Sequence, residues 1–259
     1  MANQYEIDGY MLDNYIPRRL VEEAYGPKAL SRMATRRALG SISPRFRPRG
    51  SEVVVANYAG VAVLDRPGQH RGGLALGRDF PRVLNELGVG RRPSLLEFAA
   101  GPGYIGFSLF AFGWCETLAL SDVDPSGLET ARRTAALNGL EDRLSYFTAD
   151  VFEGIPADRR WDLVVANPPH FLPDPEQEPS IQRFDPDWDV HRRFYHSIAA
   201  HMEPGGLVVM VENSLGADAG LFERMIEEGG GRLVTNHHGT KLGGEPNGTF
   251  YQVSEWGAG

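Results

Sequence analysis

Apolar positions fall into two alternating patterns along most of the chain. Short, nearly unbroken apolar runs occupy residues 94–99, 117–122, 144–149, 162–166, 206–211, 232–236 and 249–254, and each predicts a buried strand. Between them, apolar residues recur at helical spacing over 104–113, 125–138, 188–202 and 217–228. Asn138-Gly139 supplies a helix stop, and the Glu-Pro-Gly-Gly run at 203–206 a turn before the fifth strand. Strands alternating with helices predict an α/β fold, a doubly wound, Rossmann-like parallel sheet of seven strands. The last two runs are linked only by residues 239–248, which predicts an antiparallel finish. No internal repeat or low-complexity tract interrupts the pattern.

Upstream the pattern changes. Leu20, Ala24, Leu30, Met33, Ala34 and Ala38 recur at helical spacing, so 17–39 predicts one or two helices broken at Gly26-Pro27. Residues 41–50 read as a connector, and 53–64 as a β-hairpin around Asn57-Tyr58-Ala59-Gly60. A loop over 65–73 and a helix over 79–87 lead into the sheet. The chain therefore divides into a helical extension (1–50), a hairpin with a linking helix (51–90) and an α/β domain (91–259).

Composition narrows the class. At 259 residues with 42% hydrophobic and 23% charged residues, the chain suits one large globular domain with a modest appendage. Cys115 is the single cysteine, so no internal disulfide or cysteine-built metal site is possible. Residues 1–10 hold Glu6 and Asp8 and do not read as a secretory signal, and no apolar run approaches the ~20 residues needed to span a bilayer. The expectation is a cytoplasmic protein. A net charge of −8 disfavours a broad nucleic-acid surface, so nucleic acid is an unlikely partner. Arg18, Arg19, Lys28, Arg32, Arg36, Arg37, Arg45, Arg47 and Arg49 nevertheless face only Glu22 and Glu23. They form either a solvated helical face with a basic connector or a local contact for nucleic acid or an acidic partner.

Candidate chemistry gathers where strands end. Residues 95–106, LLEFAAGPGYIG, join an apolar strand, a turn of small residues and a helix start. Ala99, Gly101 and Gly103 would let a ligand lie against backbone N–H groups, at the edge where open α/β sheets bind ligands. Asp122 ends the second strand, placed to accept the ribose hydroxyls of a nucleoside cofactor, while Asp124 suits a helix cap ahead of Pro125. Asp150 ends the third. After the fourth comes Asn167-Pro168-Pro169-His170. Its prolines fix the backbone and remove two donors, so carbonyls and the Asn167 side chain can together hold an N–H2 group with its lone pair aimed outward. That placement would act through proximity and alignment.

These residues resemble the class I S-adenosylmethionine-dependent methyltransferases, in particular the nitrogen-methylating group marked by Asn-Pro-Pro-aromatic, over residues 94–256. Two departures stand out: Ala99 replaces the first glycine of the usual turn, and His170 stands where Tyr, Phe or Trp is usual. The resemblance implies S-adenosyl-L-methionine as cofactor, held by Glu97, Ala99, Gly101, Gly103, Asp122, Val123, Asp150, Val151 and Asn167. Glu97 would lie near the methionine part, Asp150 would receive the adenine amine, and Val123 and Val151 would sandwich the ring. The hairpin and the loop behind it would wall the substrate pocket.

Asn167, Pro168, Pro169 and His170 would be catalytic. His170 would stack on a planar substrate or accept a proton, or lie at the surface while Phe171 supplies the aromatic face. Asp174, Glu176, Glu178, Asp185, Asp187 and Asp189 face only Arg183. They make either an acidic rim, with Asp185, Asp187 and Asp189 binding substrate, or a solvated loop with helix-capping acids. The rim points to a small amino-acid-like acceptor, a guanidino group such as arginine's ahead of a carboxamide. A protein glutamine, an exocyclic amine of RNA or DNA, and a non-catalytic cofactor-binding module are the alternatives. His191, His196, His201, His237 and His238 lack metal-ligand spacing, and no metal is expected.

Overall fold

A computed structural model describes residues 45–46, 54–58, 61–65, 73–174, 176–177, 180–240 and 246–257. The helices expected over 17–39, most of the basic residues between Arg18 and Arg49, the loop at 66–72, and Glu178 lie outside the described residues. Strands β1 (Arg45–Phe46), β2 (Val54–Tyr58) and β3 (Val61–Asp65) form a small antiparallel sheet, which includes the expected hairpin. Helix α1 (Gly73–Glu86) follows; it starts before the expected 79 and runs through Pro81. Then come β4 (Arg92–Phe98), α2 (Tyr104–Ala111), β5 (Cys115–Asp122), α3 (Pro125–Asn138), β6 (Leu144–Thr148) and β7 (Trp161–Ala166). The chain continues through α4 (Asp189–Ser197), β8 (Met202–Asn213), α5 (Ala219–Glu228), β9 (Arg232–Thr240) and β10 (Pro246–Trp256).

Among the described residues the large sheet has seven strands in the order β6-β5-β4-β7-β8-β10-β9. Every pairing is parallel except the two made by β10, the expected antiparallel finish. From β4 the chain winds outward through β5 and β6, then returns beside β4 as β7. Strand order reverses between β4 and β7, and that is where the carboxyl edge opens into a crevice.

The strands read as apolar runs because both faces are covered. One face packs Leu95, Leu163, Val165 and Val209 against Phe80, Ile105 and Leu128. The other packs Leu96, Val164, Val208 and Met210 against Phe194, Phe222 and Trp256. Helix α3 matches its predicted span because both ends are marked. The Asp124 side chain accepts the Ser126 N–H at 2.9 Å, and Gly139 ends the helix at φ 66°.

The hairpin is locked to the domain through α3. Asn138 Oδ1 accepts the Ala62 N–H at 3.0 Å, its Nδ2 donates to the Ala62 carbonyl at 2.9 Å, and Thr134 Oγ1 accepts the Leu64 N–H at 3.0 Å. Side chains thus satisfy an edge that would otherwise lie open. Two expectations need correction. The helix expected over 188–202 is three pieces, a 3₁₀ turn (Pro186–Trp188), α4 and a second 3₁₀ turn (Ile198–His201), because Asp187 and Trp188 adopt φ 54° and 58°. The turn expected at 203–206 is absorbed into β8, where pairing with β7 shifts register between Trp161 and Leu163.

Candidate active site

The crevice is built outward from β4. Ala99, Gly101 and Gly103 have φ of 52°, 51° and 83°, so three left-handed residues fold the chain back and aim the start of α2 at the end of β4. Ala99 takes the left-handed conformation although it carries a Cβ, at a cost of about 1–2 kcal/mol. Glu97 is buried, and its carboxylate accepts the N–H groups of Ile105 at 3.3 Å and Gly106 at 2.6 Å. Burial pushes its pKa up to about 8, although those two bonds pull it down. A group held near neutrality beside a helix start can become a carboxylate when a cation arrives.

Asp122 fastens the turn. Its Oδ2 accepts the Gly101 N–H at 2.6 Å and its Oδ1 the Asp124 N–H at 2.8 Å. A carboxylate has about four acceptor positions, so backbone bonds of this kind are compatible with further hydroxyl donors. Gly127 must be glycine for the same assembly, since a Cβ there would lie 2.8 Å from the Gly101 backbone.

A cavity of about 330 Å³ opens against these groups, bounded also by Val123, Asp150, Val151, Asn167 and Pro169. Val123 is 54% exposed, unusual for a large apolar side chain, and Val151 is held at φ 57°, strained for a β-branched residue. Apolar walls at Val123 and Val151, the acid at Asp122 and the buried acid at Glu97 suit a nucleoside that carries a positive charge. Asp150 lines the cavity too, but Arg193 engages its Oδ1 at 2.9 Å. Most of the expected cofactor residues therefore come together around one space, with Gly103 in the turn behind them. Pro168 and His170 lie beside Asn167 and Pro169 without lining the cavity.

The segment after the motif is a flap with a different character from the expected rim. The Phe171 N–H donates to the Arg183 carbonyl at 3.2 Å, and the Asp185 N–H to the Phe171 carbonyl at 2.8 Å. This brings Ile181, Gln182, Phe184, Pro186 and Val190 over the cavity, none of them an acid. Asp185 is fully buried: it accepts the N–H groups of Val190 at 2.9 Å and His191 at 3.1 Å, and Oδ2 lies 2.6 Å from His191 Nδ1. Asp187 and Asp189 are both exposed, but Asp189 is turned to Arg193 at 2.8 Å. Asp185 and Asp189 thus do not form an acidic rim, because one caps α4 and the other pairs with an arginine of its own helix.

Sequence reasoning also passed over Phe184, Ile181, and Glu212 at the end of β8. For Glu212 a signal existed, since VVMVEN is an apolar run closing on an acid, as at Glu97 and Asp122. His237 and His238 point to opposite faces of β9, toward Tyr251 and Phe250 respectively.

The family model described as the methyltransferase small domain matches residues 82–229. The chain belongs to that family. This bears out the resemblance read from the Gly101 turn and the Asn-Pro-Pro motif. Among curated relatives, the ribosomal RNA small subunit methyltransferase C of Pseudomonas aeruginosa is 32% identical over 130 residues, covering 50% of this chain and 35% of the relative. The release factor glutamine methyltransferase of Deinococcus radiodurans is 29% identical over 140 residues, covering 49% and 48%. The matches thus span half or less of those relatives' own lengths. In structure, the T. thermophilus 16S rRNA N2 G1207 methyltransferase, solved with AdoMet and guanosine, aligns with TM-score 0.54 over 81% of this chain and 52% of that one, at 20% identity. That likeness shows the same Rossmann-like fold, and the AdoMet in that structure agrees with the cofactor expected here. Relatives named for ribosomal RNA and for a protein glutamine lend no support to an arginine-like small molecule, nor to setting nucleic acid aside. Among the described residues no helix is long and apolar enough to cross a membrane.

Proposed function

We propose that this protein transfers a methyl group from S-adenosyl-L-methionine to a neutral, planar –NH2 nitrogen, and that the acceptor is the side-chain carboxamide of a protein glutamine. The observation that carries the transfer is that Asn167 and Pro169 border the same cavity as Glu97, Gly101 and Asp122. A nitrogen held by the Asn-Pro-Pro carbonyls would meet a donor held by the glycine turn. The donor supplies an activated methyl group on a sulfonium; the chain supplies orientation, exclusion of water and a counter-charge at Glu97.

Two features favour a carboxamide over a cation or a nucleic acid. None of Asp185, Asp187 and Asp189 lines the cavity, which weakens the case for a guanidinium held by an acidic rim. Around the motif the exposed side chains Leu172, Ile181 and Leu215 are apolar, and the chain carries −8 overall, a poor match for polyphosphate. One observation keeps the exocyclic amine of an RNA base as second reading. The His170 and Phe171 rings lie 4.9 Å apart and the Arg183 guanidinium 5.3 Å over Phe171, a platform that could stack a base.

Purified protein and isotope-labelled donor offered a glutamine-containing release-factor peptide, bulk RNA and free arginine should label the peptide. Asn167→Ala should lower turnover at least about 100-fold while donor affinity changes little, as expected for a residue that aligns the acceptor. Label on RNA alone would favour the second reading. No label on any acceptor, with donor bound, would favour a cofactor-binding module.

A further inference from the structure

Beneath the Asn-Pro-Pro-His segment lies a buried charge cluster that donor binding does not require. His191, on α4, has Nδ1 2.6 Å from Asp185 Oδ2 and Nε2 2.9 Å from Glu212 Oε1, and all three side chains are inaccessible to solvent. The two carboxylates hold the His191 imidazolium against desolvation, raising its pKa to about 9, while Asp185 is held below the usual carboxylate range. The cluster therefore sets two carboxyl groups against one imidazolium. Burying such a set costs several kcal/mol per ion, and apolar side chains would fill the same space more cheaply.

The Glu212 end of the cluster lies toward the motif. Ala166, the last residue of β7, pairs in register with Met210 of β8, so the motif that follows Ala166 and Glu212, two residues past Met210, both lie at the carboxyl edge of the sheet. Glu212 Oε2 and His170 Nδ1 are both buried, and neither has a hydrogen-bond partner within the protein. Their charges are coupled: desolvation lowers the His170 pKa, Glu212 raises it, His191 lowers it and the Pro168 carbonyl raises it. Tyr195, one turn along α4, adds no charge, because burial and Glu212 hold its phenol protonated. From the far side the turn after β8 presses on the His170 carbonyl through Gly216, which is uncharged.

We propose that Asp185, His191 and Glu212 form a buried positioning relay that holds the Glu212 carboxyl group beneath His170, so that His170 takes the proton released when the acceptor nitrogen is methylated. This rests on the function proposed above. The acceptor nitrogen uses its lone pair to form the new N–CH3 bond, the pair of the broken carbon–sulfur bond stays on sulfur, and the nitrogen becomes cationic. It then gives one proton to the neutral His170 ring, which neighbours the cavity-lining Pro169. The imidazolium so formed is stabilised by Glu212, whose Oε1 is held by His191, itself held by Asp185. Asp185, His191 and Glu212 touch neither donor nor acceptor and act through His170.

The test uses the full chain with isotope-labelled histidine, saturated with S-adenosylhomocysteine, and follows each ring by NMR from about pH 5 to 10. His170→Gln assigns the resonance. Glu212→Gln should lower the His170 midpoint by about one unit, and His191→Gln should raise it, because it removes a cation and leaves Glu212 unopposed. A cluster serving only to anchor α4 would not move His170 in opposite directions.

In single-turnover methyl transfer to the glutamine peptide, the rate should rise with pH through the His170 midpoint. Glu212→Gln should slow it about three- to tenfold with KM nearly unchanged. If Glu212→Gln does not fold, Glu212→Asp keeps the charge and withdraws it, and should lower the midpoint by a smaller amount. Midpoints that stay within about 0.3 unit in the folded variants overturn the relay, as does a rate profile that ignores a shifted midpoint. A chain that methylates no acceptor overturns the proposed function and the proton transfer, while the midpoints still report whether the cluster acts on His170.

Discussion

Glu97 shows how one residue can serve both folding and ligand choice. In the free protein it is buried against the start of α2, and burial raises its pKa to about 8, so at neutral pH most molecules carry the neutral acid. A sulfonium beside it stabilises the carboxylate instead, so binding a cationic donor should expel a proton. Donor affinity is then expected to rise with pH up to about 8 and flatten above it, where the carboxylate is already formed. At pH 6.5 this gives a slope approaching tenfold per unit. S-adenosylhomocysteine, which lacks the sulfonium, should show a shallower slope. Calorimetry in two buffers of different ionisation enthalpy checks the proton release directly. An affinity independent of pH for both ligands would separate Glu97 from the donor's charge. Ala99 belongs to the same scale: its left-handed φ of 52° explains why glycine is usual there and why a small side chain is still tolerated.

At the level of elements, loops position the site by close approach. Gly216, in the turn after β8, sits so near the motif that a Cβ would lie 1.9 Å from the His170 carbonyl oxygen. Backbone on both sides leaves no flexible atom to yield, so Gly216→Ala must displace the Asn-Pro-Pro-His segment. It is expected to cost about 1–3 kcal/mol of stability and to reduce turnover far more than donor affinity. Thermal unfolding, donor titration and methyl-transfer rate measured on the same preparation check this; unchanged turnover would mean that the motif tolerates displacement. Such contacts explain what was legible in the sequence. The strands were, because burial on both faces writes itself as apolar runs. The glycine turn and the Asn-Pro-Pro motif were as well, because their chemistry lies within a few consecutive residues. The flap was not: composition marks it as acidic, but nothing local tells that Asp185 folds inward to a histidine six positions on. The contact of that histidine with Glu212, 21 residues further along, leaves no periodic trace. Ile181 and Phe184 reach the cavity only because the chain crosses back at Phe171, a non-local event.

For the molecule as a whole, two buried groups whose pKa values are raised to about 8 and 9, Glu97 and His191, act in the same direction. His191 goes from an ordinary 6.5 to about 9 in the fold, so its contribution is complete below 6.5 and is lost as pH rises through 9. Glu97 goes from 4.5 to about 8, so its contribution is complete below 4.5 and is lost as pH rises through 8. Asp185 is shifted down from 3.8 and has the opposite sign: its share is present above that value and is lost only in acid. The net charge of −8 grows more negative over the same alkaline range and adds self-repulsion. Stability of the ligand-free protein should therefore be greatest in mildly acidic solution. On the order of 5 kcal/mol, or about 10–20 °C of thermal midpoint, should be lost between about pH 6.5 and 9.5. Glu97→Gln should remove the part of the slope centred below 8 and leave the rest, and donor at saturation should do the same by fixing Glu97 as a carboxylate. A midpoint that stays level across the window in the ligand-free protein would show that neither group is buried as an ion on titration. A slope that persists in Glu97→Gln but vanishes in His191→Gln would assign the dependence to the charge cluster, which then makes the Asn-Pro-Pro-His segment the part of the fold most sensitive to alkali.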